Sequence, residues 1–428
     1  MHRIRRIGGL HFLKAVMGRI SLDSWQQRWQ AYAFFSVSCL AVAVSMGVAL
    51  VSLSKVLVLV AVIGQMVLDT KNKTWPAWRE WPLTALAIVL AFAWMVLSWF
   101  WTEAPLADAK SHLSKHSRLL WFLAVFYVIR DLNLATRVLK WQVAGLIFLL
   151  AGSWMLWAGI PVPWATAEYD PSMGIVSAST LEQPVFLTIL VGFLWLFKSH
   201  WPAGRWRWTP WAIILLAVTN IFFIMTGRTG FLVMLVLLGM VVYWALPKRW
   251  KWGFVVVPLV FAALVYAVSP RFQQRSAEVW SDIQGYQTGN VFTSQGLRLD
   301  YWHRSVLAFI EKPVVGHGVG SWRVNYHRLG GLQADAPSNP HQAYLLWAVE
   351  AGAIGLVLFL GIFVALYKDS LHLSTEAKRF SLVILAVAAV MGLMNCPFLG
   401  AAVGECFMLM WACLFRIRQA TNPHAPVS

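Results

Sequence analysis

Apolar residues recur along this chain in runs of about 20, the length with which an α-helix crosses a bilayer core roughly 30 Å thick. Residues 31–69 are mostly apolar, punctuated by Ser52, Ser54 and Lys55, and are long enough for two spans joined by a tight turn. Further runs lie near 82–101, 118–130, 139–160, 184–198, 209–226, 229–246, 252–269 and 343–367. The last stretch, 380–416, breaks around Cys396-Pro397-Phe398 into two more. The pattern therefore predicts about twelve spans and an all-α polytopic membrane protein. One segment departs from it. Residues 270–342 form a long polar loop between the ninth and tenth spans, and loops of that length are uncommon without a functional role. Within the loop, Gly296 to Lys312 has the spacing of an amphipathic helix, ended by Pro313. Gly316-His317-Gly318-Val319-Gly320 follows. No strand precedes these glycines, so they read as a tight turn rather than a dinucleotide-binding loop.

Composition agrees with a lipid solvent: 59% of the 428 residues are hydrophobic and 12% charged, against about 25% charged in an average soluble domain. Trp99, Trp101, Trp206, Trp208, Trp250 and Trp252 cluster where apolar runs end, the level at which an indole prefers to sit. The net charge of +17 does not point to nucleic acid, because the basic residues punctuate spans instead of forming a patch with aromatic platforms. They read as topology signals. With both termini inside, clusters such as Lys71, Lys73 and Arg79, or Lys248, Arg249 and Lys251, fall in cytoplasmic loops. The outside loop 161–183 holds Glu168, Asp170 and Glu182 and no Lys or Arg. The expected layout is a cytoplasmic segment 1–30, spans 1–9 over 31–269, an external loop 270–342, spans 10–12 over 343–416 and a cytoplasmic tail 417–428. Cys39, Cys396, Cys406 and Cys413 lie inside apolar runs without metal-site or disulfide spacing and read as small core residues. No cleavable signal segment and no internal repeat are evident.

The candidate chemistry lies in charges that a membrane excludes. Arg228, in Met225-Thr226-Gly227-Arg228-Thr229-Gly230, sits in a minimal turn between two apolar runs. A guanidinium at that depth either snorkels to lipid phosphates or serves a site, and two flanking glycines, which allow close approach of a ligand, favour the site. In the loop helix, Asp300 and Arg304 are four apart and suited to an ion pair, while Arg298 shares a face with Trp302 and has no acid in register. Its planar fork suits a phosphate. His341 follows Pro340 where the loop returns to the tenth span; it is either an interfacial histidine without a role or a proton acceptor kept neutral by a helix N-terminus. The sequence has no Gly-x-Ser-x-Gly, His-Glu-x-x-His, phosphate-binding loop or Asp-x-Asp motif.

Three motifs in order, Thr226 to Gly230, Arg298 to Trp302 leading to Gly316 to Gly320, and Pro340-His341 leading to Glu350-Ala351-Gly352, resemble the O-antigen ligase family of bacterial inner membranes. Gln342 departs from the Asn often found after the histidine. The resemblance implies a GT-C-like membrane glycosyltransferase, with its active site on the periplasmic side. It would transfer a polysaccharide from an undecaprenyl diphosphate donor to a lipid A core acceptor, among membrane lipids and without metal, cofactor or nucleic acid. It implies Arg228, Arg298 and His341 as catalytic residues, and Arg228, Arg298, Trp302 and Gln342 in substrate binding. An O-antigen polymerase or a protein O-oligosaccharyltransferase shares the resemblance. A flippase or transporter of lipid-linked glycan is the reading from another class; it calls for charges buried midway along several spans. The orientation is directly testable: a tag inserted in loop 161–183 is expected to be accessible from the periplasm, and a cytoplasmic tag would reverse the topology.

Overall fold

The computed structural model describes residues 9–165, 170–177, 179–201, 203–225, 227–287 and 292–420, with side chains from Trp25 to Ile417. Arg3, Arg5, Arg6, Glu168, Thr226 and the tail from residue 421 lie outside these residues. Sixteen α-helices follow one another. They are α1 (Gly9–Ala43), α2 (Val48–Asn72), α3 (Leu83–Leu97), α4 (Leu106–His116), α5 (Trp121–Val128), α6 (Leu132–Trp157), α7 (Gln183–Leu196) and α8 (Thr209–Thr219). Then come α9 (Arg228–Ala245), α10 (Gly253–Val268), α11 (Pro270–Gln287), α12 (Ser294–Glu311), α13 (Trp322–Arg328), α14 (Ala343–Ser370), α15 (Thr375–Met394) and α16 (Val403–Ala420). No strand occurs among the described residues.

Among the described residues, seven helical segments are long and apolar enough to cross a membrane, eight if α10 and α11 count as one bent pair, which makes the chain a polytopic membrane protein. Each remaining run read as a span also carries a helix, but a shorter or more polar one: α1, α5, α7 and α16. At eight residues α5 reaches only about 12 Å. It is lengthened through a 3-10 turn at Ser117–Leu120 by the polar α4. Large apolar side chains stay exposed along α2 (Leu53, Val56, Ile63, Val67) and α10 (Leu259, Leu264), the faces that meet lipid. The opposite extreme is α16, buried from Val403 to Phe415. The first turn lies earlier than the sequence suggests: the chain reverses at Val44–Gly47, and Lys55 sits inside α2. An ion pair permits this, because Lys55 Nζ meets the buried Glu405 of α16 at 2.6 Å.

The segment after α10 is not an irregular loop. At Ser269–Pro270 the chain bends by 106° into α11, and after α12 the glycine-rich turn enters a break in α14. Gly352 has φ 66° and ψ −167°, which interrupts the helix and frees backbone groups on both sides. The turn satisfies them. The N–H groups of His317 and Gly318 donate to Val349 and Glu350 (2.9 and 2.8 Å), while those of Ala353 and Ile354 donate to Pro313 and Val314 (2.8 and 3.3 Å). A Cβ on Gly316 would lie 2.5 Å from the Gly352 nitrogen and one on Gly318 2.2 Å from Thr102 Cα, so these glycines are required by backbone approach. Gly352→Ala combines a left-handed conformation with a clash 2.2 Å from the Val314 oxygen. It is expected to cost on the order of 3 kcal/mol. Gly361→Ala, with open space around it, is expected to be neutral; heating in detergent followed by size-exclusion chromatography separates the two.

Candidate active site

Two helix starts and three guanidinium groups, of Arg228, Arg275 and Arg298, line one cavity. Arg228 is the first residue of α9, entered from a π turn at Asn220–Ile224 through Gly227. Arg298 lies one turn into α12, whose N-cap Thr293 accepts from the Gly296 N–H at 3.1 Å. Both arginines line a cavity of ≈ 600 Å³ together with Thr180, Arg275, Glu278, Asp282 and Gln295. Helix N-termini carry unpaired N–H donors and a partial positive charge, so this wall is built for anionic oxygen. A larger cavity, ≈ 720 Å³, lies beside Gln26, Gln30, Asp131 and Arg137 and shares no lining residue with it.

The two glycines beside Arg228 serve packing rather than ligand approach. A Cβ on Gly227 would lie 2.0 Å from the Thr180 oxygen and one on Gly230 2.2 Å from Pro184, so they bring the start of α9 against the start of α7. The arginines themselves differ in charge balance. Arg228 pairs with Glu278 of α11 at 2.9 Å and stands 3.8 Å from Asp282; Arg275 holds the same Glu278 oxygen at 2.7 Å. Burial alone would raise the Glu278 carboxyl, but Arg275 and then Arg228 hold it below the ordinary range. Arg298 has no carboxylate partner among the described residues. Burial and then the charge of Arg228 lower its proton affinity, so an anion placed between the two relieves both effects. The pair expected between Asp300 and Arg304 is present at 3.3 Å. Asp300 also accepts from the Tyr326 hydroxyl at 2.6 Å, tying α12 to α13.

His341 is not among the residues that line this cavity, and it has a left-handed φ of 51°. The side chain of Asn339 accepts from its N–H at 2.9 Å and stabilises this conformation. Burial, and after it the charge of Arg298, hold the imidazole below the ordinary histidine range, with a hydrogen bond to Asn395 pulling the other way. The ring is neutral at pH 7 as a result. Nδ1 stands 3.3 Å from the Asn395 carboxamide oxygen; the tautomer that completes this bond carries its proton on Nδ1 and leaves Nε2 as an acceptor. Trp302 donates to the Pro340 carbonyl at 3.1 Å and so fixes the loop that presents His341. Gln342 is the N-cap of α14, its side chain accepting from the Leu345 N–H at 2.5 Å. In this structure both side chains are therefore engaged in positioning bonds.

Asn395, Glu278 and Asp282 are the site residues that the sequence did not single out. Asn395 carried a faint signal, a polar residue at the break of an apolar run. The two acids carried none, since the arginine they balance lies at least 50 positions away.

Over residues 212–360 the chain matches the family model described as O-antigen ligase. That stretch runs from α8 into α14 and contains Arg228, Arg298, Trp302 and His341. No curated protein matches the chain.

The pKa reading of His341 has a direct check. Its carbethoxylation by diethyl pyrocarbonate, followed by peptide mass spectrometry, is expected to have its midpoint below about 6.5, and to move up in Arg298→Gln, because a repelling charge is gone. An unmoved midpoint would separate the two residues electrostatically.

Proposed function

From the match of residues 212–360 to the O-antigen ligase family model, we propose that the protein transfers O-antigen polysaccharide from undecaprenyl diphosphate to the lipid A core. The reaction takes place at the periplasmic face of the bacterial inner membrane, with both termini in the cytoplasm. The observation that carries the reading is the convergence of Arg228, Arg298 and two helix N-termini on one cavity, with His341 within the electrostatic reach of Arg298. A transporter would have no use for a positioned base. In the proposed reaction an acceptor hydroxyl attacks the anomeric carbon of the donor sugar, forming the new glycosidic C–O bond. The old bond to the diphosphate oxygen breaks, and its electron pair leaves with undecaprenyl diphosphate. Arg228 and Arg298 take up the negative charge that develops there, the main barrier to be lowered. Nε2 of His341 accepts the hydroxyl proton, and Asn395 keeps the ring in the tautomer that can do so. Direct displacement inverts the anomeric centre; no candidate nucleophile paired with a base supports a covalent intermediate. The arginines supply the charge stabilisation without a metal at the reacting centre.

Glu278 and Asp282 balance Arg228, so an entering diphosphate exchanges for their carboxylates. With purified protein, carrier-linked glycan and lipid A core, Arg228→Ala and Arg298→Ala are each expected to slow ligation about 10²–10³-fold. His341→Ala is expected to bind donor and form almost no product, whereas Glu278→Gln retains turnover and lowers the KM for donor. Unchanged ligation in both arginine variants would sink the diphosphate role. Glycan that lengthens on the carrier, with none reaching lipid A core, would make the protein a polymerase.

A further inference from the structure

A second cluster of ligand-type side chains is buried apart from the cavity and has no part in the transfer chemistry. His112 and His116 stand one turn apart on α4, and Glu350 projects from α14 beside the helix break; all three are buried. One ligand atom from each lies within 4.8 Å of the others. Nε2 of His116 is 3.2 Å from one Glu350 oxygen, and Nδ1 of His112 is 2.7 Å from the other. The second approach is short enough for a hydrogen bond, yet both His112 Nδ1 and Glu350 Oε1 remain without one. Their directions miss each other. At 2.7 Å the two atoms are an ion pair, but its imperfect aim leaves part of the burial cost unreturned. That is the relation between neighbouring ligands of a cation, each of which points at the ion.

We propose that His112, His116 and Glu350 form a binding site for a divalent transition-metal ion of the zinc class, which clasps α4 to α14. The donor set decides the class. Two imidazoles and one carboxylate suit zinc and its neighbours, whereas magnesium and calcium need more oxygen ligands than one glutamate supplies. Histidines four apart on a helix present both rings to one point. Lys115, the adjacent residue, is engaged with Ser338 at 3.0 Å. Glu350 lies in the same stretch of α14 whose carbonyls accept from His317 and Gly318, so the ion would fix the side chain where the turn fixes the backbone. It would act as a structural clasp.

The test uses full-length protein purified without a histidine tag. Elemental analysis after zinc loading and desalting is expected to find about one zinc per chain in the wild type, and a chelator is expected to lower its thermal midpoint by several degrees, reversed by zinc. His112→Gln and His116→Gln keep a hydrogen-bond donor for Glu350 but remove a metal ligand; they should lose the bound zinc and the chelator response. His327→Gln, on α13, should keep both. Cobalt-loaded wild type should show ligand-field absorption of a nitrogen and oxygen site, a readout that survives if the glutamine variants do not fold. A wild type that holds no zinc, shows no cobalt absorption and ignores the chelator would overturn the proposal and leave a hydrogen-bonded histidine–glutamate triad.

Discussion

In a hydrocarbon solvent every backbone N–H and C=O must find its partner within the protein, and the break in α14 is where this constraint shapes the molecule most. A helix interrupted at Gly352 exposes carbonyls on one side and amide groups on the other. The 313–318 turn answers both sets, and in doing so fixes where α12 ends and where α13 begins. Thr102 then closes the arrangement from the α3–α4 connection, its hydroxyl donating to Val319 at 2.7 Å. The helices α12 and α13 are thus held by main-chain bonds to α14. Arg298 inherits a fixed position from that anchorage, and His341, at the head of the same α14, inherits its own.

Charge is distributed on the same principle of local answer to local cost. Lys55 and Glu405 neutralise each other inside the bundle, Asp69 meets Arg130 near its other end, and Glu103 meets Lys312 and His317 under the external helices. Burial would raise the Glu103 carboxyl, but Lys312, Asn325 and His317 hold it down at about 2. Against this background of matched pairs, Arg298 stands out as a guanidinium with no carboxylate partner among the described residues, beside another whose acids come from a separate helix. The proposed anion-binding wall lies where the pairing rule is relaxed.

How far the sequence reveals this depends on the range over which each signal acts. Arg228, Arg298 and His341 are legible because a lone charge or imidazole between apolar runs is conspicuous by itself. The amphipathic helix from Gly296 appears as α12, from Ser294 to Glu311, since its periodicity is local. Capping by Gln342, anchoring by Trp302 and orientation by Asn395 are pairings with partners chosen by the fold, and no spacing rule reaches them. Lys55 misleads for the same reason: its neutralising acid is 350 residues away, so in sequence it resembles a turn. Gly227 and Gly230 mark close approach correctly, but the approaching body is α7. The polar α4 and α11 escape a reading based on apolar runs, being built for surfaces and junctions rather than for lipid.

The 106° turn from α10 into α11 redirects the chain from along a membrane-spanning axis to across it. A helix lying crosswise at that height makes a sill. If the proposed function holds, a lipid-linked donor residing in the leaflet would reach Arg228 by sideways travel, head group first, without its tail leaving the oil. Entry of that kind inspects the head and ignores whatever is attached farther out in water, so a doorway of fixed width can serve cargo of any length.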